Sequence, residues 1–158
     1  MEREQRRMLI IQACIDHQKS VADIARHEMC SAQQQSNDYG ANVDRYDSYR
    51  TKMLRIRDMY AKQLSNANAS IRVLQELLRL APMQVADHGA IVITNKQNFL
   101  LGVGIGKFLV SSETSGMDQQ KIFYAISAQS PVSMALKGKR VGDVVIFNGV
   151  TQEIIEIL

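Results

Sequence analysis

The chain has 158 residues, 46% of them apolar and 22% charged, the make-up of a folded protein with material for one or two small domains. A formal net charge of +3 is too small to argue by itself for nucleic-acid binding, and no apolar run approaches the roughly 18–20 residues of a membrane span. The acids Glu2 and Glu4 and the short apolar run Met8–Ile11 speak against a signal peptide, so a cytoplasmic setting is expected.

Composition changes sharply along the chain. Residues 1–83 hold thirteen Lys/Arg and ten Asp/Glu, whereas residues 84–158 hold six of each. Of nine glycines, only Gly40 precedes Pro82. The shift predicts a helical part over 1–81 and a β-rich part over 84–158, joined near Ala81-Pro82.

From Glu2 to about Gln35 there is neither proline nor glycine. Ile10, Cys14, Val21, Ile24/Ala25, Met29 and Ala32 form a stripe near heptad spacing, interrupted by His17 and Glu28. A second run is clearer: Met53, Tyr60, Leu64, Ala67, Ile71, Leu74, Leu78 and Ala81 keep a 3-and-4 spacing with Arg57 at the skipped place. Turn formers separate the runs, Ser36-Asn37-Asp38-Tyr39-Gly40-Ala41-Asn42. Two helices so joined fold back antiparallel, each roughly 50 Å long, and bury their stripes on each other. Such a hairpin, with its tip near 37–47, serves either as a dimerisation arm or as a probe whose tip does the work. Cys14 and Cys30 fall on the first helix about 24 Å apart, too far to bridge within the chain, which suits a reducing compartment.

Asp38, Asp44 and Asp47 cluster at the turn. Asp44 and Asp47 stand three apart at the expected start of the second helix, so their carboxylates share a face. Acids there also suit the unpaired N–H groups of a helix start, which makes capping a sufficient structural role. A functional role requires a hard cation: Mg²⁺ prefers oxygen ligands and often takes only one or two protein carboxylates. Arg45, Arg50, Lys52, Arg55, Arg57 and Lys62 follow, a solvated helix face or a surface for a polyanion.

In the second half, Ala90–Thr94 and Phe99–Ile105 are β-rich runs flanking the turn Asn95-Lys96-Gln97-Asn98, with Lys107–Val110 continuing the second strand. Gly102, Gly104 and Gly106 alternate and open no helix, which excludes a dinucleotide fingerprint and points to a bend or a close backbone approach. Ser111–Asp118 is a polar loop, and Lys121–Ser127 is a further strand. Asp143–Asn148 and Thr151–Ile157 close the sheet as a hairpin around Gly149. Four to six strands with one short helix make an α+β domain. His17, His27 and His88 form no metal-ligand cluster with the cysteines, and there is neither a recognisable Ser/His/Asp arrangement nor a phosphate loop.

The most specific stretch runs from Ile126 to Asp143, I-S-A-Q-S-P-V-S-M-A-L-K-G-K-R-V-G-D. Ser127 and Ser130 suit a helix cap, Pro131 suits the first helical turn, Gly138 stops the helix, and Gly142-Asp143 turns the chain into the next strand. This order resembles the end of the Gre family of bacterial transcription elongation factors, whose C-terminal domain carries I-S-P-x-S-P, a small-residue helix, L-x-G-K-x-x-G-D and a closing strand pair. The matching residues are Ile126-Ser127, Ser130-Pro131, Ala135-Leu136, Gly138-Lys139, Gly142-Asp143 and the strand Ile154–Leu158. Ala128 departs from the usual proline, and Gln129 from a frequent acid.

The resemblance implies an antiparallel coiled-coil hairpin followed by an FKBP-like domain, without prolyl isomerase activity. It implies a partner, bacterial RNA polymerase, bound through the C-terminal domain with Ser127, Gln129, Ser130 and Pro131 as candidate contacts; capping is their alternative role. The hairpin would enter the polymerase's secondary channel and stimulate cleavage of backtracked RNA, the alternative being a channel-binding regulator without cleavage. The family tip reads roughly D-L-x-E-N-A-E-Y. Asp44-Arg45-Tyr46-Asp47 reproduces its two acids, with Asp for Glu, but Ser48-Tyr49-Arg50-Thr51 replaces the continuation. A second register sets Asp38 on the family's first acid, Ala41 on its essential second acid and Asn42 on its asparagine, which would predict no cleavage activity. Asp44 and Asp47 are therefore the expected catalytic helpers, and Arg45, Arg50, Lys52 and Arg55 the expected contacts to the RNA 3′ end. No cofactor or metal site of its own is implied, Mg²⁺ being supplied in the polymerase active site. The chain alone would not be an enzyme, and neither a membrane nor a homo-oligomer is required.

Overall fold

A computed structural model describes residues 2–38, 48–112 and 119–158. The protein is α+β: two long helices come first, then a six-stranded mixed sheet with one short helix. It divides into two compact units, one made of Met1–Asp16 and Arg72–Leu158, the other of His17–Ile71.

Helix α1 spans Glu2–Asp38 and α2 spans Ser48–Leu77. In the unit His17–Ile71 they run antiparallel, since later positions of α1 meet earlier positions of α2. Arg57 Nη1 donates to Gln33 Oε1 at 2.6 Å, and Ser36 and Asn37 share a shallow cleft with Arg50 and Leu54. Ala22, Ala25, Ala32 and Ala67 are buried here, small side chains that let helix backbones approach closely.

The buried face of α1 differs from the expected stripe. Buried positions are Arg7, Ile10, Ile11, Cys14, Ile15, Gln18, Ala22, Ala25, Ala32 and Ser36, while Ile24 is 60% exposed. Polar residues occupy the face at Arg7, Gln18 and Ser36, so an apolar count placed it partly on the wrong side. His17, read as an interruption, is simply exposed. On α2 the buried apolar positions are Met53, Ala67, Leu74 and Leu77. The helix ends at Leu77, which puts Leu77 rather than Leu78 at the end of the buried face.

The other unit holds the sheet: β1 (Ile91–Thr94), β2 (Asn98–Leu101), β3 (Gly106–Ser112), β4 (Gln119–Ile126), β5 (Val144–Phe147) and β6 (Val150–Ile157), with α3 (Pro131–Leu136) between β4 and β5. The spatial order is β3-β4-β2-β1-β6-β5. Among the described residues only the β2–β4 pair is parallel. The expected continuous strand from Phe99 to Val110 is in fact two. Leu101 pairs with Ile126 on one side of β4, and Gly106 pairs with Ala125 on its other side. Residues 102–105 carry the chain round the end of β4. A Cβ at Gly104 would meet Ser127 Cβ at 3.4 Å, an ordinary contact, whereas Gly102 (φ +146°) and Gly106 (φ +91°) adopt backbone that favours glycine. The glycine alternation therefore marks a crossover.

Leu136 of α3 packs with Ala86, Ala90, Val92, Phe99, Leu101, Val145, Ile154 and Ile157 in one core, supported by Val132 and Ala135. Buried polar atoms in the sheet are satisfied locally. Thr94 Oγ1 lies 2.8 Å from Gln152 Oε1, and Gln152 Nε2 donates to Gln97 Oε1 at 3.1 Å, which pins the β1–β2 turn to β6. The end of α2 belongs to this unit too: a Cβ added at Gly89 would come 2.9 Å from Leu77 Cδ2, so the turn before β1 lies directly against that leucine.

Candidate functional site

Two regions carry the candidate residues. The first is the link between the long helices. Asp44, Asp47 and Arg45 lie outside the described residues. Asp38 is the last residue of α1; it is exposed, and its Oδ1 accepts from Gln34 Nε2 at 2.7 Å, one turn earlier on the same helix. Across from it on α2, Lys52 and Arg55 are exposed and Arg50 is half-buried. Arg57, on the same helix, is committed elsewhere: besides Gln33 it holds the neighbouring Asp58 at 2.7 Å. The exposed cations available to a polyanion on the described part of this surface thus include Lys52 and Arg55.

The second region is the stretch between β4 and β5, where each motif residue has a geometric task. Ser130 is the N-cap of α3, with extended backbone (φ −68°, ψ 150°) and a hydroxyl that accepts from the Ser133 N–H at 3.2 Å. Pro131 follows in the first turn, where a missing N–H costs nothing. The turn before the cap is closed by the Ser130 N–H on the Ser127 carbonyl at 3.1 Å. Gly138 (φ +81°) and Gly142 (φ +91°) occupy left-handed backbone that a side chain would strain. Between them, the Gly138 N–H donates to the Ala86 carbonyl at 2.7 Å and the Ala86 N–H to the Lys139 carbonyl at 2.9 Å, which ties the exit of α3 to the segment before β1. Asp143 closes the second turn: its Oδ2 accepts from the Arg140 N–H at 2.8 Å. Gln129 and Pro131 are exposed, and Ser127 and Ser130 are half-buried.

No family model matches the chain, and no curated protein matches it. Among solved structures it is similar to the crystal structure of GreA factor homolog 1 (Gfh1) of Thermus thermophilus, at 17% identity, covering 91% of this chain and 94% of that one, with a TM-score of 0.32. That score is too low for the likeness to carry a fold or a function.

Among the described residues, no group of three or more His, Cys, Asp or Glu is placed to hold a metal ion, and none of their helices is long and apolar enough to cross a membrane. Both cysteines are free, Cys14 buried and Cys30 exposed. Burial pushes the Cys14 thiol up to about 12, so it is a packing residue and not a nucleophile.

One constellation was not legible in the sequence. Asp87, His88, Leu101, Ala128, Ser133 and Lys137 line a cavity beside α3. They come from four separate segments, and only the crossover round β4 and the pairing of Ala86 with Lys139 bring them together. The one local signal was the i, i+4 spacing of Ser133 on α3 and Lys137 just after it, which is ordinary alone.

Proposed function

We propose that this chain is a cytoplasmic factor that binds bacterial RNA polymerase through the region 84–158. Its helical region 1–81 presents residues 39–47 to the polymerase's secondary channel and stimulates cleavage of backtracked RNA. The observation that carries the reading is a combination within one chain: two long antiparallel helices linked by a segment bearing Asp44 and Asp47, followed by the ordered stretch Ile126–Asp143 folded as a capped helix and then two glycine turns. The resemblance of that stretch to the Gre family supplies the partner.

The chemistry follows from the charges. Mg²⁺ is a hard cation that keeps several waters and accepts one or two carboxylates. In the polymerase active centre it would supply the activated water and neutralise the phosphate. Asp44 and Asp47 would add oxygen ligands and orient the attacking water, so the chain alone is inert. Arg45, Arg50, Lys52 and Arg55 would attract the displaced RNA 3′ end through its phosphates. The stretch with Ser127, Gln129, Ser130 and Pro131, of which Gln129 and Pro131 are exposed, would contact the polymerase. Ser130 and Pro131 have structural tasks as well, which leaves Gln129 as the residue whose change tests the contact without disturbing α3.

The tip's own sequence favours a second reading. Ser48-Tyr49-Arg50-Thr51 stands in place of the family's acidic continuation, which suits a regulator that occupies the channel without stimulating cleavage. Binding is common to both. In a titration against bacterial core RNA polymerase, the chain should bind, and Gln129→Arg should weaken binding about tenfold, as expected for a residue inside an interface. Absence of binding by the unaltered chain removes both readings.

A further inference from the structure

We infer that Arg57 is a positioning residue: by bonding to Gln33 across the helix pair it fixes the register of α2 against α1, and so the place at which Asp44 and Asp47 are presented. The second half of this inference rests on the role proposed above for those acids; the register does not. On α2, Met53, Tyr60, Leu64, Ala67 and Ile71 form a seam that is buried or half-buried throughout. Arg57 occupies the skipped place in that spacing, between Met53 and Tyr60, and its side chain is 34% exposed. It therefore lies on the seam and not on the solvated face with Lys52 and Arg55. A polar or charged group on a coiled-coil seam costs stability, and its best-attested use is to select one register.

The rest of the seam leaves that task open. On α1 it runs Gln18, Ala22, Ala25, Met29, Ala32 and Ser36. Alanines and a serine present nearly the same shape one seam step along, so packing alone distinguishes neighbouring registers weakly. A slip of one step would move α2 along α1 by about 5 Å. The bond made by Arg57 does discriminate. Its Nη1 donates to Gln33 Oε1 at 2.6 Å, a short bond from a charged donor. Both partners are held for it. Gln33 Nε2 donates to Asn37 Oδ1 at 3.0 Å, which leaves Oε1 for Arg57. Asp58 Oδ1 accepts from Arg57 Nε at 3.0 Å and Nη2 at 2.7 Å, which steadies the guanidinium. One step toward the start of α1 the guanidinium would meet Met29 and Cys30, which offer it no side-chain oxygen, while Asn37, one step the other way, already accepts from Gln33. Asp47 directly precedes Ser48, the first residue of α2, so a slip of that helix carries it along. A displacement of about 1 Å from the productive position can cost a reaction about a hundredfold.

The test reads register and chemistry separately. Spin labels on Cys30, which is exposed on α1, and on Asn68→Cys, an exposed position on α2, report the axial offset of the two helices in the full chain; Cys14 is buried and takes no label. Pulsed electron resonance should give one narrow distance. Arg57→Leu completes the apolar seam, so the helices should melt no earlier, yet a second distance displaced by several ångströms should appear, on the scale of a step of about 5 Å. Gln33→Leu, which removes the acceptor from the other helix, should give the same second distance, and Gln33→Glu, which keeps it, should give the single one. In backtracked RNA polymerase complexes, Arg57→Leu and Gln33→Leu should lower the cleavage rate about tenfold or more with binding unchanged, and Gln33→Glu should not. A single unchanged distance in both leucine variants overturns the inference. Shifted distances with full cleavage by both variants overturn its second half. Shifted distances with no cleavage by the unaltered chain uphold the register lock and remove the cleavage reading instead.

Discussion

Arg7 Nη1 donates to the Leu158 carbonyl at 3.0 Å, joining the second turn of α1 to the residue just after β6. The same guanidinium donates to the carbonyls of Leu77 at 3.1 Å and Leu80 at 3.2 Å. These carbonyls lie at and beyond the end of α2, where the last helical C=O groups have no partner within the helix. Arg7 is 1% exposed, and burial lowers its pKa from the ordinary value. Its charge is therefore kept inside by carbonyl dipoles. Arg3 works beside it, donating to the Ile157 carbonyl at 2.7 Å and the Met83 carbonyl at 3.1 Å. Replacing Arg7 by Met keeps the stem and removes three charge-assisted bonds; the Leu158 and Leu77 carbonyls keep the Ile91 and Leu80 N–H groups while the Leu80 carbonyl loses its donor, so stability should fall by roughly 2 kcal/mol. Arg7→Lys should recover little of that, because an ammonium cannot reproduce the planar fork. Urea unfolding of the three proteins checks both, and equal midpoints would show that the clamp contributes nothing.

The two cysteines should separate by reactivity. Cys30 is exposed and Cys14 buried on the same helix, so iodoacetamide at pH 8 should label Cys30 alone in the folded protein and both in urea. Cys14 also predicts a pH dependence. Its pKa is raised from 9.0 to about 12 in the fold, so above pH 9 the unfolded chain gives up a proton that the folded chain keeps. A raised folded value means stability is fully present below pH 9 and declines as pH rises toward 12. Cys14→Ala should flatten that decline between pH 8.5 and 10.5 in thermal unfolding (roughly the window that the shift opens), while Cys30→Ala should leave it in place.

The turn chemistry around α3 can be tested one residue at a time. Ser130→Ala removes the acceptor for the Ser133 N–H and should cost about 1 kcal/mol. Gly138→Ala places a Cβ on backbone at φ +81° and should also cost about 1 kcal/mol, although nothing lies within 4 Å of that Cβ. The strain is conformational and not steric. Gly138→Asn, which tolerates the left-handed region, should recover part of the loss. An alanine and an asparagine variant equal in denaturant midpoint would contradict that cause.

The division into long helices and a sheet was legible because both prolines and every glycine but Gly40 fall from Pro82 onward. So was the Ser130-Pro131 helix start, because cap and proline preferences act through adjacent atoms. The buried face of α1 was legible only in part: Arg7 is buried against carbonyls of Leu77, Leu80 and Leu158, far away in sequence, which no local period reveals. Gly102, Gly104 and Gly106 showed that the backbone must bend, but not that the bend takes the chain to the other side of β4. That depends on Leu101 and Gly106 both pairing with the end of one later strand. The cavity of Asp87, Ser133 and Lys137 was hidden for the same reason, since its walls meet only through long-range pairing.

Transcript cleavage in stalled, backtracked RNA polymerase complexes is the direct test of the proposed role of Asp44 and Asp47 in another protein's active centre. The unaltered chain should shorten the transcript from its 3′ end in the presence of Mg²⁺. Asp44→Ala and Asp47→Ala should each lower the rate at least about a hundredfold, as expected for a group that holds metal and water, while binding to the polymerase persists. Binding with no stimulation by the unaltered chain, or stimulation that survives both substitutions, would contradict it.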